Sequence, residues 1–309
     1  MSVETIFQSR LLFVSGKGGV GKTSFAASLA NASSKKGKRV LLVEIDNIHP
    51  SLTSIFGVSP NYTPKPVHER LFISNLTWKS ALEDWLADTV KSRTIVQMIL
   101  SNRVAMIFLD ATPGAREIVI LAKIISLLDE WDQVIVDLPA SGHALGILRV
   151  PKTAKKLMRA GPVHEIANKI LRVFQAPSSN VALVSLPEEM VVNETLEFSE
   201  KLEIEVPELG KPIVLLNRMS IPSLSTDESE LINRLRDVRH DAQVAELVDS
   251  VVWERDLETA SQRAVQRLQD AQKDTLISFQ RLGLLGGYKG GAARVVEQME
   301  AALLRMDIR

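Results

Sequence analysis

The stretch Gly16-Lys17-Gly18-Gly19-Val20-Gly21-Lys22-Thr23 follows the apolar run Leu11–Val14 and opens directly into residues with helical spacing. It satisfies G-x-x-x-x-G-K-[ST] in the strand–loop–helix context that this pattern requires. Glycines let successive backbone N–H groups curl around a phosphate, and the helix N-terminus adds its positive dipole. On this reading Gly16, Gly18, Gly19, Val20 and Gly21 supply the cradle. Lys22 reaches the β- and γ-phosphates, and the Thr23 hydroxyl coordinates Mg²⁺. Any fold must therefore place a strand end against a helix start near the N-terminus.

The rest of the chain supplies such a fold. Short runs that are apolar on both faces recur at Leu11–Val14, Val40–Ile45, Val134–Val136, Val181–Leu186, Ile213–Leu216 and Leu282–Leu285. They read as buried strands of a parallel sheet. Lys22–Ser34 has apolar residues at Phe25, Ala26, Leu29 and Ala30, then Lys35, Lys36 and Gly37, a helix with a cationic last turn and a glycine stop. The stretches 226–248 and 257–281 also read as helical. Alternation of this kind predicts an α/β fold with a doubly wound, mainly parallel sheet of P-loop NTPase type. The region 77–130 fits the alternation poorly and reads as a helical insertion between strands. A smaller, more basic helical excursion covers about 144–175. Neither is bounded by a Pro/Gly/Ser linker, so residues 1–309 are expected to form one domain.

Composition excludes several function classes. Lys+Arg and Asp+Glu both number 37, so the chain lacks the basic excess of a dedicated nucleic-acid binder. There is no cysteine, hence no disulfide, no Cys-ligated zinc or iron–sulfur centre and no cysteine nucleophile. The first ten residues lack a basic start and an apolar h-region, and Ile118–Leu128, the most apolar stretch, carries Lys123 and is too short to span a bilayer. A cytoplasmic protein is expected.

Three apolar runs end in aspartate: Val40–Ile45 before Asp46, Ala105–Leu109 before Asp110, and Val134–Val136 before Asp137. A carboxylate at a strand end beside the phosphates could hold Mg²⁺ or orient the attacking water. Periodicity alone does not choose among the three.

Resemblance does. Asp137-Leu138-Pro139-Ala140-Ser141-Gly142-His143 resembles, with its proline one residue earlier, the D-x-x-P-x-G-H switch II of the anion-transporting ATPase family, which includes the arsenite-pump and tail-anchored-protein targeting ATPases. Val40–Asp46 with His49 three residues on resembles the family's switch I, in a loop about one residue longer than usual. Pro187-Glu188-Glu189-Met190 with Glu194-Thr195 matches its P-E-x-M…E-T stretch, and Ile213–Leu216 with Asn217-Arg218 matches the strand whose terminal Asn recognises adenine. The loop G-K-G-G-x-G-K-[ST] resembles the deviant phosphate loop of dimeric nucleotide-switch ATPases. The resemblance covers nearly the full length of the chain, most weakly at 60–110 and 220–250.

The resemblance implies ATP as substrate and Mg²⁺ as cofactor. It implies Lys17 reaching across a dimer interface to the partner's nucleotide, Lys22 and Asp46 as catalytic residues with Asp46 positioning the water, Thr23 and Asp137 serving the metal, and Asn217 on the base. Asp110 is assigned to structure, and the roles of His49 and His143 stay open. The dimer is expected with an identical subunit or a paralogue. Without cysteine, neither a thiol-bound metalloid nor a zinc bridge between subunits is expected. A hydrophobic or membrane-protein client is, with apolar stripes at Ile95–Leu100, Val104–Leu109 and Ile118–Leu128 either lining a client groove or forming core. The alternative reading is a partition or site-positioning ATPase acting on DNA or a membrane surface, with Val295, Val296, Met299, Ala302, Leu303 and Met306 as a membrane-surface helix. Zero net charge argues against DNA. A third reading, a P-loop metabolic kinase, is disfavoured by Lys17.

Overall fold

The structure is a computed structural model that describes residues 3–90, 92–219, 242–272, 275–280 and 291–306, with 228, 230, 231 and 234. Its centre is an eight-stranded sheet. In chain order the strands are β1 (Leu11–Gly16), β2 (Val40–Ile45), β3 (Lys65–His68), β4 (Leu71–Leu76), β5 (Gln133–Asp137), β6 (Ser179–Ser185), β7 (Ile213–Met219) and β8 (Leu276–Gln280). They lie side by side as β3-β4-β2-β5-β1-β6-β7-β8. Every neighbouring pair is parallel except β3 with β4, where the edge strand turns back.

Successive residues of a strand point to opposite faces, and here each face meets a separate core. Leu11 and Phe13 of β1 join one cluster with Leu41 and Val43 of β2. Leu12 and Val14 join the other with Val40 and Leu42. Burial on both faces is why these strands read as unbroken apolar runs. The second face is covered by α2 (Lys22–Lys35) and the C-terminal helix Gly291–Met306, whose Val296, Met299 and Leu303 are buried. Ser28 of α2 donates to the carbonyl of Val296 at 3.0 Å. The apolar face of that helix is thus used in packing, which removes the support for a membrane-surface helix there.

α2 stops as expected. The N–H of Lys36 bonds to Ala32, and Gly37, at φ 89°, returns its N–H to Ser34. On the first face the chain runs from β4 to β5 through α4 (Trp78–Val90), α5 (Arg93–Ser101), α6 (Arg103–Ala111) and α7 (Ala115–Leu127), numbered after α1 (Val3–Gln8) and the short α3 (Leu52–Phe56). Then α8 (Ser141–Leu157) and α9 (Pro162–Phe174) connect β5 to β6, and α10 (Glu189–Glu205) leads toward β7. Phe174 packs edge-on against Phe13 with ring centroids 5.6 Å apart.

Three expectations need correction or limits. The stretch 257–281 is not one helix: a helix runs Ala242–Gln272, and Leu276–Gln280 is a strand on β7. Its period-two alternation matches an edge position, and pairing with β7 satisfies backbone groups that a short helical tail would leave open. The strand expected at Leu282–Leu285 and part of the helix expected at 226–248 lie outside the described residues. The run before Asp110 lies within α6, in the region read as helical, so Asp110, which was assigned to structure, does not stand at a strand end. The sequence reading also passed over α1, β3 and β4.

Candidate functional site

In a parallel sheet the carboxyl ends of the strands share one edge, and a ligand crevice opens where neighbouring connections diverge to opposite sides. Here β1 sits between β5 and β6. Their ends, with those of β2 and β7, gather the predicted residues: the loop 16–23 after β1, Asp46 after β2, Asp137 at the end of β5, Pro187 after β6 and Asn217 within β7.

The loop is shaped by two kinds of glycine. Gly16 has φ 144° and lies so close to β6 that a Cβ would stand 2.2 Å from the Val184 carbonyl oxygen. Gly21 has φ 99°, and a Cβ there would meet the Asn217 amide nitrogen at 2.8 Å. Gly18 and Gly19 face open space instead. The first pair serves packing; the second pair leaves backbone accessible to a ligand.

At the root of the loop, Thr23 donates from Oγ1 to Asp137 Oδ2 at 2.5 Å. The other oxygen, Asp137 Oδ1, is buried without a hydrogen-bond partner. Desolvation, reinforced by the nearby Glu44 carboxylate and opposed by the Thr23 bond and the Lys22 ammonium, pushes the Asp137 carboxyl up to about 6. A hydroxyl and a partly orphaned carboxylate at the start of α2 are the donor set that Mg²⁺ takes, since this ion accepts few protein ligands and keeps its waters. The residues present fit that ion. Lys22 turns its ammonium onto the Lys17 carbonyl at 3.0 Å, and burial holds it below the usual lysine range despite Asp137 and Glu194.

Asp46 takes a left-handed backbone at φ 44°, a conformation aspartate tolerates and one often found at functional sites. Its N–H bonds to the Leu76 carbonyl, and its Oδ1 accepts the N–H of Trp78, the first residue of α4, at 3.1 Å. Desolvation raises its carboxyl above the usual range, opposed by the Trp78 N–H and the Arg116 guanidinium. That guanidinium also lies over the Trp78 ring, 5.1 Å from its centroid.

The loop after Asp46 is held from below by Glu44, which is 2% exposed. Its Oε1 accepts from the Asn47 side chain at 3.1 Å and from the Ser51 N–H at 2.9 Å. His49, exposed, gives its backbone N–H to the Asn47 side chain. The segment Asp137–His143 is pinned to β1 by the Leu138 N–H on the Val14 carbonyl and by Ser15 donating to the Pro139 carbonyl. Ser141 donates to Glu194 Oε1 at 2.5 Å, and Glu194 Oε2 lies 3.3 Å from the Lys17 ammonium. Asn217 donates from Nδ2 to the Val20 carbonyl and accepts the Arg218 N–H on Oδ1. One N–H and one lone pair of that amide are left over for a base edge.

The roles of Glu44, Ser141 and Trp78 escaped the sequence reading, as did any function for Glu194 beyond its motif. Glu44 carries a legible signal: it is the one charged residue in the strand Val40–Ile45. No comparable signal marks Trp78, which matters through its backbone.

Beside the site, a cavity of about 1000 Å³ opens between α4, α7 and α8, walled by Trp78, Leu82, Ile118, Ile147, Val150 and His143. Most of Ile118–Leu127 is core. Ile95, Met98, Val104 and Ile107 of α5 and α6 are exposed. Among the described residues, no helix is long and apolar enough to cross a membrane.

Comparison with known proteins points to one family. The chain is 29% identical over 229 residues to "ATPase BagA" of Mycobacterium tuberculosis, covering 67% of this chain and 65% of that one. It is 30% identical over 151 residues to "ATPase ASNA1 homolog 1" of Paramecium tetraurelia, covering 47% and 44% of the two. The aligned part thus spans less than two thirds of either relative's length. The sequence pattern described as "Anion-transporting ATPase" matches residues 9–203, which contain the loop, both switch segments and the whole Glu194 contact network. With its phosphate loop seated between β1 and α2 and carboxylates at the ends of β2 and β5, the chain belongs to the anion-transporting ATPase family.

Proposed function

We propose that the chain binds ATP with Mg²⁺ and hydrolyses it as one half of a dimeric, cytoplasmic switch that controls binding of a hydrophobic protein segment. The Thr23–Asp137 bond carries the reading, because it sets a metal-binding hydroxyl and a buried carboxylate at the mouth of a phosphate loop. Mg²⁺ would be held by Thr23 and, through water, by Asp137; when bound it neutralises charge on the β- and γ-phosphates.

The protein's own part is positioning. Backbone N–H groups of residues 18–21 bind phosphate oxygens, and Lys22 swings from the Lys17 carbonyl to the β- and γ-phosphates. Asp46, held by Trp78, orients the water that attacks the γ-phosphorus. The P–O bond to the β-phosphate breaks, giving ADP and phosphate. Asn217 offers its remaining N–H and lone pair to adenine. Lys17 leaves Glu194 and reaches the nucleotide of the opposite subunit, identical or paralogous. The cavity beside α4 and the exposed apolar residues of α5 and α6 support a client with an apolar helix.

The test is ATP-dependent thermal stabilisation and turnover in wild type and Lys22→Ala. Both should vanish in the variant. Undiminished stabilisation by ATP in Lys22→Ala would remove the loop as the site.

A further inference from the structure

Glu44 is the one charged residue of β2 and is almost fully enclosed. A buried carboxylate is expected to have each oxygen satisfied, and exceptions call for an explanation. Oε1 is satisfied by Asn47 and Ser51, and the Leu52 N–H also faces the carboxylate; Oε2 is buried without a hydrogen-bond partner. The same holds for Asp137 Oδ1.

The two orphan oxygens belong to neighbouring positions. Glu44 pairs in register with Asp137 across β2 and β5. By alternation both side chains leave the sheet on the face of Leu42 and Ile135, the face that α2 covers. Thr23, the second residue of α2, already reaches Asp137 on that face. Two like-charged carboxylates with unpaired oxygens side by side repel, and a cation or its bound water between them removes both the repulsion and the missing bonds.

We propose that Glu44 is a second carboxylate of the metal site, holding a water of the Mg²⁺ shell beside Asp137, so that ion binding is felt by the loop 46–51 that its other oxygen anchors. The proposal rests on the nucleotide and metal site described above. It makes Glu44 a positioning residue for the metal rather than a catalytic one.

The experiment follows free Mn²⁺ by electron paramagnetic resonance as the ion is titrated into the full chain with a non-hydrolysable ATP analogue. Glu44→Gln keeps an oxygen for Asn47 and Ser51 but removes the charge. It should weaken Mn²⁺ binding about ten-fold, the scale expected of an outer-shell partner. Affinity for the analogue in EDTA should not change. Asn47→Ala, which loosens the loop but leaves the Glu44 charge and its Ser51 bond, should lose far less Mn²⁺ affinity than Glu44→Gln.

Wild-type Mn²⁺ affinity in Glu44→Gln would overturn the assignment, as would an equal loss of analogue affinity with and without metal. If Glu44→Gln does not fold, Glu44→Asp takes its place, and wild-type Mn²⁺ affinity there would be equally fatal. Asp137→Asn separates the two levels. Weakened Mn²⁺ binding in that variant with none in Glu44→Gln removes Glu44 alone; no effect in either removes the metal site itself.

Discussion

Lys17 and Glu194 form an ion pair within one chain, 3.3 Å between nitrogen and oxygen, and Ser141 of switch II holds the same carboxylate. Both partners are more than a third exposed, so the pair contributes at most about 1 kcal/mol. If the chain works as the proposed dimer, it is a contact that a partner subunit's nucleotide would replace. Lys17→Gln and Asp46→Asn should each be inactive, and mixing them in equal amounts should restore about a quarter of wild-type activity. Half the dimers are then mixed, and each has one site with its own Asp46 and a borrowed Lys17. A mixture as inactive as its components, with subunit exchange verified, would rule out a lysine acting across the interface.

Asp46→Asn keeps the side-chain oxygen that accepts the Trp78 N–H, so the fold at the start of α4 should survive. Turnover should fall by about a hundred-fold or more, with ATP affinity nearly unchanged, because orienting water matters in the transition state. A parallel loss of affinity and turnover, read by nucleotide titration and phosphate release, would assign Asp46 to the fold or the metal instead.

The raised carboxyl of Asp137 makes a prediction about pH. Its folded value of about 6 lies above the ordinary 3.8, so between these values the native state holds the proton more often than the unfolded chain does. The nucleotide-free protein is therefore favoured at low pH by this group and loses up to about 3 kcal/mol of stability as pH rises from near 4 to near 6. Urea denaturation of wild type and Asp137→Asn across that range should show this difference. Parallel stability curves would contradict it.

The loop glycines should separate into two phenotypes. Gly16→Ala drives a Cβ into the Val184 carbonyl in a left-handed backbone, and should cost roughly 3 kcal/mol or more in thermal or chemical denaturation without any ligand. Gly18→Ala meets open space and should change stability by less than about 1 kcal/mol while weakening nucleotide binding. Equal stability losses would mean that the loop is rigid throughout.

What the sequence made legible follows from how local each signal is. The five strands β1, β2, β5, β6 and β7 are apolar on both faces, and α2 carries its own stop at Gly37, so all could be read without tertiary knowledge. The edge strand Lys65–His68 alternates between half-buried and exposed residues and looks like loop. Asp46, Asp110 and Asp137 end runs of equal apolarity; local pattern does not separate them, and the switch-like residues around Asp46 and Asp137, then the topology, do. Glu44 was visible as a charge in a buried strand, but its meaning depends on a register partner about ninety residues away, and no local pattern carries that.

Trp78 turns its N–H to Asp46 and its indole to the wall of the apolar cavity. One residue is thus a tenant of two sites, through its backbone in one and its side chain in the other. Whatever free energy an occupant of the cavity uses to move the start of α4 must reappear as a changed grip on Asp46. Thermodynamic reciprocity then requires the nucleotide to alter the occupant's affinity by the same factor that the occupant alters the nucleotide's. On the proposed function, no long wire is needed between the nucleotide and an occupant of the cavity, because one residue touches both Asp46 and the cavity.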